Sequence, residues 1–567
     1  MTFPLHRSNS RLQVLLCALV LAGVAAAANS AERGPGKAAV ASAHPLATAA
    51  GLEVLRAGGN AFDAAIAVTA ALAVVDPAGS GLTGGGFYLL HRASDGREVV
   101  IDAREKAPLA ATRNMFLDER GEPVPRLSMG SALAAGIPGE PAAIALLAER
   151  YGRLPAAKSL APAIKLAKLG FALTPRLQQG ITGQREQFAA NPEIARNFLV
   201  KGAVPALGAL IKQPELGATL ESLARNGPRS FYNGELARRL VDGVRAQGGI
   251  WTLDDLAAYR EVERAPIVGN YRGGRIVSAP PPSSGGVGLI EALNILSEFD
   301  LGKQSSVDRK HLIIDASRRI HRDRAIYLGD PDFVSVPVAR LTDRNYAAGL
   351  AASLHTSRAT VSATLPGVGA GAASGTQTTH FSIIDAEGNR VAATITLNFG
   401  FGSGRMIAGT GLFLNNEMDD FSIKPGTPNG YGLVGDEANA IAPGKRMLSS
   451  MSPTFVENGD RVMIVGSPGG SYIIGMVLLA TLDFMDGHNA ADIVSAPRIH
   501  HQYLPDVVRA EPGALTDAEK TALEQRGHTV DVGGRRWGNM QAIIWNRATD
   551  SVEAAADPRG DGTGVVQ

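Results

Sequence analysis

The 567-residue sequence is poor in cysteine, in net charge and in long apolar segments. Its single cysteine, Cys17, lies in an apolar stretch close to the N-terminus. If this stretch is a signal peptide that is cleaved off, the mature protein contains no cysteine, which excludes disulfides, thiol catalysis and cysteine-based metal sites. The formal net charge of +1 offers no electrostatic footprint for a nucleic acid or an anionic membrane. We therefore expect no nucleic-acid partner.

What the sequence does contain is enough apolar material for a large core. Hydrophobic residues make up 45% of the chain and charged residues 19%, as in ordinary globular proteins. The length allows two to four domains or one large layered α/β unit. The pattern of residues 39–75 predicts helix throughout, and Thr252 with Asp255 three residues later predicts a capped helix start. No repeat of fixed period occurs.

The N-terminus has the three parts of a secretory signal. His6, Arg7 and Arg11 precede the apolar residues 12–28, and small residues follow. A membrane anchor is the alternative, but the alanine-rich second half is weakly hydrophobic for a stable membrane span. Leu16 is too large for the position before a lipid-modified cysteine. We expect residues 1–30 to be a signal peptide and the mature protein to be periplasmic or secreted.

A hairpin near the middle of the chain predicts an N-terminal nucleophile. Two strand-like segments flank a three-residue loop that ends in Gly388, which pairs Asp385 with Asn389. The same register sets Thr378 opposite Thr396. A threonine at a strand start can be a nucleophile whose own α-amine acts as the base, with a second hydroxyl to hold its Oγ. The alternative is an ordinary hairpin, because threonine favours strands.

The segment before this hairpin, residues 355–377, is poor in bulky apolar side chains and rich in Gly, Ala, Ser and Thr. That composition favours a mobile or cleavable linker. It ends where the Thr378 strand begins.

Two glycine-rich segments call for different interpretations. Residues 79–84 match a dinucleotide-binding pattern, but a helix precedes them and a strand follows, the reverse of what that site needs. A tight turn that allows close backbone packing is the better interpretation. Residues 466–471 follow a strand, and adjacent glycines there can aim two N–H groups at a developing oxyanion. A simple strand-ending turn is the alternative.

Two polar clusters complete the candidates. The hydroxyls of residues 449–454 can bind a carboxylate or belong to an ordinary turn. The acids of residues 415–421 can bind a metal or a substrate ammonium, or form a solvated face. No histidine is near those acids, and the eleven histidines of the chain show no ligand spacing. We expect no metal and no cofactor.

Taken in order, these segments resemble the gamma-glutamyltransferases (gamma-glutamyl transpeptidases) over essentially the whole mature chain. The matching motifs are DAREKAP at 102–108, PPSSGG at 281–286, LGDPDF at 328–333, TTH at 378–380, TLN at 396–398, NEMDDF at 416–421, SSMSPT at 449–454, GSPGGS at 466–471, APRIHHQ at 496–502 and ADPR at 556–559.

The resemblance implies the N-terminal nucleophile hydrolase fold, an α/β (α+β) protein with an αββα sandwich. The family is made as a precursor that cleaves itself into two associated subunits. Here the cut would fall between Gln377 and Thr378, giving a large subunit of residues 31–377 and a small subunit of residues 378–567. Thr378 would then take the γ-glutamyl group of glutathione or related compounds and pass it to water or to an amino acid or peptide acceptor.

The resemblance also implies roles for the other site residues. Thr396 matches the hydroxyl that positions the nucleophile, and Gly469 and Gly470 match the oxyanion-hole amides. The remaining matches bind the two charges of the glutamyl α-carbon or cover it. Arg104, Ser449 and Ser450 match the carboxylate binders, Asn398, Glu417 and Asp420 match the ammonium binders, and Tyr431 lies in the 428–433 segment that resembles the lid loop.

Two rival functions remain at this stage. A cephalosporin or glutaryl acylase of the same fold would use Thr378 on a group that has no ammonium to pair with Asp420, and some acylase relatives lack the lid loop. A non-catalytic glutathione-binding protein would keep Arg104 and Asp420 but would need neither Thr378 nor a cleavable linker.

Overall fold

Two antiparallel β-sheets form the centre of the protein in the computed structural model, which describes residues 34–365 and 378–567. The predicted signal peptide and Gln377 lie outside these described residues. The first sheet has seven strands in the order Thr563–Val566, Ala39–Ser42, Thr379–Ile384, Arg390–Thr396, Gly85–Arg92, Arg97–Ala103 and Val262–Arg264. The second has six, in the order Ser551–Ala556, Gln541–Asn546, Arg461–Gly466, Thr454–Asn458, Gly274–Ser278 and Ile267–Tyr271.

The hairpin predicted around Gly388 lies at the centre of the first sheet with the expected register. Ile384 pairs with Arg390 and Thr379 with Ile395. The Asp385 N–H donates to the Asn389 carbonyl oxygen at 3.0 Å, and Gly388 has a φ of +94°, which a side chain would strain. The length of the loop and the glycine at its end were therefore enough to predict the strand pairing correctly.

Alternation along the strands divides the apolar residues among three cores. Phe381 and Ile383 face helices on the outer side of the first sheet. Ile384, Ala392 and Phe455 belong to the core between the two sheets, and a third core lies between the second sheet and its helices. The result is helix, sheet, sheet, helix: the αββα sandwich that the family resemblance implied.

The helices cover the outer faces of the sheets and fill the connections. Those near the first sheet include Pro45–Arg56, Ala61–Val75, Glu140–Arg150, Ala156–Leu169 and Pro214–Asn226. Those near the second include Gly285–Leu296, Ser306–Tyr327, Ile473–Met485 and Ala490–Ser495. Further α-helices are Pro125–Gly130, Pro175–Gly183, Arg185–Ala189, Pro192–Phe198, Gly234–Arg245, Leu253–Ala258, Val338–Leu341, Arg344–Ala352 and Asp517–Gln525.

The prediction of helix from residue 39 was wrong at its start. Ala39–Ser42 is a buried strand between Thr563–Val566 and Thr379–Ile384. Alanine-rich sequence favours helix locally, but two neighbouring strands supply this segment with backbone partners and decide its conformation. The capped helix at Thr252 is confirmed, because the Thr252 hydroxyl and the Asp255 carboxylate bond reciprocally to each other's backbone N–H.

Each sheet draws strands from both sides of residue 378. In the second sheet, for example, Gly274–Ser278 pairs with Thr454–Asn458 along four residue pairs. A cut before Thr378 would therefore leave both sheets intact, since no strand is divided by it. Among the described residues, no helix has the length and apolar character needed to cross a membrane.

Candidate active site

Because side chains alternate between the two faces of a strand, the Thr379–Ile384 strand directs the side chain of Thr378 into the space between the two sheets. Residues 378, 380 and 382 share one face, and residues 379, 381 and 383 share the other. The Ser382 hydroxyl lies 3.2 Å from the carbonyl oxygens of Ile464 and Gln541 in the second sheet. Thr378 is buried on this same face, at the end of the sheet next to the turn that follows Gly466.

The hydroxyl of Thr396 contacts that of Thr378, the predicted nucleophile. The two Oγ atoms of Thr378 and Thr396 are 3.2 Å apart. The Thr396 Oγ also accepts the backbone N–H of Asn398 at 2.8 Å. Since one of its lone pairs is used in that way, its own hydrogen can be donated to the Thr378 Oγ. The predicted pairing of these two residues is therefore confirmed as a contact.

His380 is close to the nucleophile but cannot serve as a charged group. Burial lowers the pKa of His380 to about 3, so its ring is neutral. Its Nδ1 lies 2.8 Å from the Thr394 hydroxyl. A Cβ at Gly466 would lie 2.3 Å from the His380 ring, so the glycine allows the two sheets to approach at this end.

Gly469 and Gly470 form the turn that faces Thr378, and both positions require glycine. Their φ values are +146° and +56°, and a Cβ at Gly470 would lie 2.4 Å from the Tyr431 ring. Within the described part of the chain, neither amide donates a hydrogen bond to a protein acceptor. Two such N–H groups next to a nucleophile can stabilise an oxyanion.

Opposite charges meet on the other side of Thr378. The Arg104 guanidinium forms ion pairs with Glu417 and with Asp420. Arg104 and Glu417 are each 1% exposed, and the Asp420 side chain is 13% exposed. Burial opposes the charge on Arg104, but the two carboxylates outweigh it and raise the pKa of the guanidinium. The predicted carboxylate binder and ammonium binders are therefore neutralised by one another.

Burial also acts on the two acids. It raises the pKa of Glu417 to about 7, against the opposing effect of Arg104, and it raises the pKa of Asp420. The Glu417 Oε2 is buried without a hydrogen-bond partner among the described residues. This oxygen can accept a hydrogen bond from a ligand ammonium once a ligand is present.

Sequence reasoning missed two ionisable residues beside this pocket. Glu105 is fully buried with a carboxylate oxygen 3.6 Å from Arg104, and burial together with nearby Glu417 raises its pKa well above the ordinary value. Arg324 is 5% exposed, and its Nε donates to the Ser284 hydroxyl at 3.1 Å. Its charge interacts with Asp420. Nothing in the sequence of the arginine-rich Ser306–Tyr327 helix singled out Arg324.

Two arginines, Arg104 and Arg324, lie against two acids, Glu417 and Asp420, in this pocket. A zwitterion can enter such a site without changing its net charge, whereas a simple anion or cation cannot.

The polar lining comes from turns that the backbone fixes. Ser449 is held by its N–H, which donates to the Pro282 carbonyl oxygen at 2.8 Å, and its hydroxyl accepts the Met451 N–H at 3.1 Å. Asn398 has a φ of +77°, uncommon for a residue with a side chain. Its Nδ2 donates to the Asn416 carbonyl oxygen at 3.0 Å, which leaves its Oδ1 as an acceptor.

The 428–433 loop closes over this pocket. The Tyr431 hydroxyl donates to the Asn398 carbonyl oxygen at 2.7 Å, and its ring stacks on Phe399 with centroids 4.5 Å apart. The loop is held from below because the Gly430 N–H donates to Asp419 at 2.8 Å. Asp419 in turn accepts a hydrogen bond from Ser128, so this acid is structural and does not face Arg104.

The enclosed space is about 20 Å³, room for about one water molecule. A γ-glutamyl group is larger than this space, so side chains that line it must move when a substrate binds. The lining contains every site residue predicted from the sequence within the described chain except Gly469: Arg104, Thr378, Thr396, Asn398, Glu417, Asp420, Tyr431, Ser449, Ser450 and Gly470. The roles of these residues stay predictions.

Two other sequence patterns are resolved by the structure. The glycines of residues 79–84 form a close contact, since a Cβ at Gly84 would lie 1.8 Å from the Thr396 carbonyl oxygen. Histidines distant in the sequence do meet an acid: ligand atoms of His311, Asp315 and His528 lie within 4.8 Å of one another. The Asp315 carboxylate is, however, paired with two buried arginines, which disfavour a cation there.

Comparison with known proteins assigns the family. The sequence model described as gamma-glutamyltranspeptidase matches residues 47–566. A glutathione hydrolase proenzyme of Escherichia coli (strain K12) is 44% identical, covering 92% of this chain and 90% of its own length. An acylase proenzyme of Pseudomonas sp. (strain SE83) is 38% identical, covering 92% of each chain. The crystal structure of a cephalosporin acylase from Bacillus halodurans has a TM-score of 0.81 and 30% identity, covering 93% of this chain and 95% of that chain.

The αββα sandwich, with a threonine at one end between its two sheets, is that of the class of N-terminal nucleophile hydrolases. Within that class, the chain belongs to the gamma-glutamyltranspeptidase family, as the motifs of the sequence predicted.

Proposed function

We propose that this protein is a glutathione hydrolase and γ-glutamyltransferase that works through a γ-glutamyl ester on Thr378. The donors would be glutathione and other γ-glutamyl amides. The acceptors would be water, amino acids or short peptides.

One observation supports this proposal above the others: Arg104 lies against Glu417 and Asp420 in a pocket that also contains Thr378. A γ-glutamyl group ends in one carboxylate and one ammonium on the same carbon. The ligand carboxylate would pair with Arg104 in place of the two acids, with Ser449 and Ser450 as further donors. The ligand ammonium would pair with the acids that Arg104 has left, so each ion pair within the protein is replaced by one between protein and ligand.

Maturation would use the same hydroxyl. The Thr378 Oγ would attack the Gln377 carbonyl carbon, the C–N bond would break as the Thr378 nitrogen takes a proton, and an ester would form. Water would then cleave the ester, leaving a carboxylate on Gln377 and a free amine on Thr378. The large subunit, residues 31–377, and the small subunit, residues 378–567, would stay together because each sheet contains strands from both.

In turnover, the free α-amine of Thr378 would accept the proton of its own hydroxyl as Oγ attacks the γ-carbonyl carbon. The Thr396 hydroxyl would hold the attacking oxygen, and the amides of Gly469 and Gly470 would stabilise the oxyanion. Collapse would expel the amine of the donor, which takes the proton. Water or an acceptor amine would then attack the ester and release glutamate or a new γ-glutamyl amide.

The charges of the pocket favour this chemistry over a glutaryl or cephalosporin acylase. A glutaryl group carries a carboxylate but no ammonium, so Glu417 and Asp420 would lose Arg104 and gain no cation from the ligand. Asp420 would keep its interaction with Arg324, but Glu417 would be a buried carboxylate that has lost its ion-pair partner, which is unfavourable. The presence of the 428–433 loop also favours the glutamyl substrate.

We further propose export to the periplasm or beyond the cell, with removal of residues 1–30. The basic and apolar N-terminal pattern supports this. N-terminal sequencing of the larger fragment tests it: we expect a start near residue 30, and a cytoplasmic protein that retains Met1 would contradict it.

The activity is tested by incubating the purified protein with glutathione, alone and with glycylglycine. We expect glutamate in the first case and γ-glutamyl-glycylglycine in addition in the second. A glutaryl amide should be a much poorer substrate. Faster turnover of the glutaryl amide than of glutathione would overturn the proposal in favour of an acylase.

A further inference from the structure

A second and larger cavity adjoins the catalytic pocket. It measures about 580 Å³, and no residue lines both spaces. The stacked rings of Phe399, which lines the larger cavity, and Tyr431, which lines the catalytic pocket, separate the two. Whatever occupies the larger cavity therefore lies just beyond the ring that covers the glutamyl site.

The rim of this cavity reaches both parts of the catalytic centre. Ala78 precedes Gly79, whose Cβ position is 3.2 Å from the Thr379 Cβ on the nucleophile strand. Gly538 packs against the side chain of Met476, and the same side chain contacts the Cβ position of Gly469 in the glycine turn. These contacts place the cavity rim one side chain away from the nucleophile strand and from the glycine turn. The Thr379 side chain faces the outer helices, so a group bonded to the scissile carbonyl would reach the cavity past the Phe399–Tyr431 stack.

The lining is strongly cationic. It contains four arginines and neither aspartate nor glutamate. Arg559 is committed to Glu511 and Asp557. Arg535 and Arg536 are exposed, and Arg176 has a buried Nε without a hydrogen-bond partner; none of these three forms an ion pair within the described residues. Arg176 does interact electrostatically with Asp76, and its backbone N–H donates to Asp561 at 3.3 Å. Three arginine side chains that form no salt bridge among the described residues around one concave space can bind an anion.

The two spaces therefore differ in charge: the catalytic pocket is lined by an arginine and two acids, whereas the cavity beyond it is lined by arginines and no acid. We propose that Arg176, Arg535 and Arg536 bind the free carboxylate of the amine that leaves the donor or that attacks the ester. The preferred leaving groups and acceptors would then be amino acids and short peptides rather than neutral amines. This inference rests on the proposed function, since it concerns the part of the substrate beyond the γ-glutamyl group.

A pair of matched donors tests the proposal: glutathione, and glutathione whose C-terminal carboxylate is replaced by a carboxamide. They share the glutamyl group and the scissile bond. For the wild type we expect kcat/KM to be about twofold to fivefold higher for glutathione, the size expected of exposed charge pairs. In the double variant Arg535→Gln, Arg536→Gln that ratio should fall to near one, mainly through KM for glutathione. Arg176→Gln should lower it in part.

Arg238→Gln is the matched control, because Arg238 is an exposed arginine on the Gly234–Arg245 helix, outside the cavity lining. It should keep the wild-type ratio. An independent measurement needs no variant: the wild-type ratio should fall as salt is raised, since exposed charges are screened.

A failure of the proposed function can be told apart from a failure of the arginine subsite. If neither donor is hydrolysed, the proposed function is wrong. If both are hydrolysed with a ratio near one in the wild type, or if the double variant keeps the wild-type ratio, the glutamyl chemistry stands and the arginine subsite is wrong.

Discussion

The nucleophile end of the site and the glutamyl pocket differ in the charge of their groups and in how those groups are held in place. Around Thr378 the groups are neutral hydroxyls and amides, and strand register and two positive-φ glycines set their positions. Around Arg104 the groups are charged, and they are paired with one another until a ligand separates them. The first region is organised before the substrate arrives, whereas the second must exchange its partners. Changes to the first should therefore abolish chemistry, and changes to the second should alter substrate choice.

The largest effect should come from removing the nucleophile. Thr378→Ala should leave the chain uncut and inactive, because one hydroxyl serves both cleavage and turnover. A denaturing gel and a glutathione assay measure the two outcomes. Thr378→Ser, which keeps a hydroxyl, should still be cut. An alanine variant that matures into two fragments would show that another residue is the nucleophile.

The next effect should come from the glycine turn. Gly470→Ala would place a Cβ against the Tyr431 ring and strain a positive φ. Displacement of one oxyanion donor typically raises the barrier by about 3 kcal/mol, so kcat should fall about a hundredfold. Gly487→Ala is the control: its φ is +95° but its Cβ would meet open space, so stability should fall and kcat should not. Equal kcat in both variants would mean that the Gly470 amide does not stabilise the oxyanion.

Recognition of the ammonium should have a smaller and selective effect. Asp420→Asn keeps the shape but removes the charge, and a charged hydrogen bond contributes about 1.5–3 kcal/mol. We expect kcat/KM for a γ-glutamyl anilide to fall about tenfold to a hundredfold, and kcat/KM for a glutaryl anilide to fall much less or to rise.

Asp419→Asn is the matched control for that variant, because Asp419 contacts Ser128 and the Gly430 N–H and not Arg104. It should keep the wild-type ratio of the two anilides. An unchanged ratio in Asp420→Asn would mean that Asp420 does not bind the ammonium.

The smallest effect should be a pH dependence of donor binding. Glu417, with its pKa raised by burial to about 7, loses its charge as the pH falls through that value. The ammonium then loses one partner, while Arg104 is released for the carboxylate, so the two effects partly cancel. We expect KM for the donor to rise severalfold from about pH 8 to about pH 6. Glu417→Gln should lack this step, and an identical step in that variant would assign it to another group.

The two regions also differ in how far sequence could predict them. The hairpin register followed from a three-residue loop and a glycine, which are local features, and the Thr378–Thr396 contact followed from that register. The charged pocket joins residue 104 to residues 417 and 420, more than three hundred positions away. Only the family resemblance linked them.

Residues without a motif could not be found in this way. Arg324 and Glu105 act through burial, which the sequence does not display. The Ala39–Ser42 strand was missed because its partners, not its own residues, determine its conformation. No motif marks Arg535 and Arg536, and only the fold places them around a cavity.

The central claim is that Thr378 becomes an N-terminal residue and carries the γ-glutamyl group. It is tested most directly by mass spectrometry of the smaller fragment, quenched in acid during turnover of a γ-glutamyl donor. We predict a fragment of residues 378–567 whose mass rises by one glutamyl acyl group, with the added mass on Thr378 after proteolysis. An adduct on any other residue, or turnover by a chain still joined at residues 377 and 378, would contradict this account.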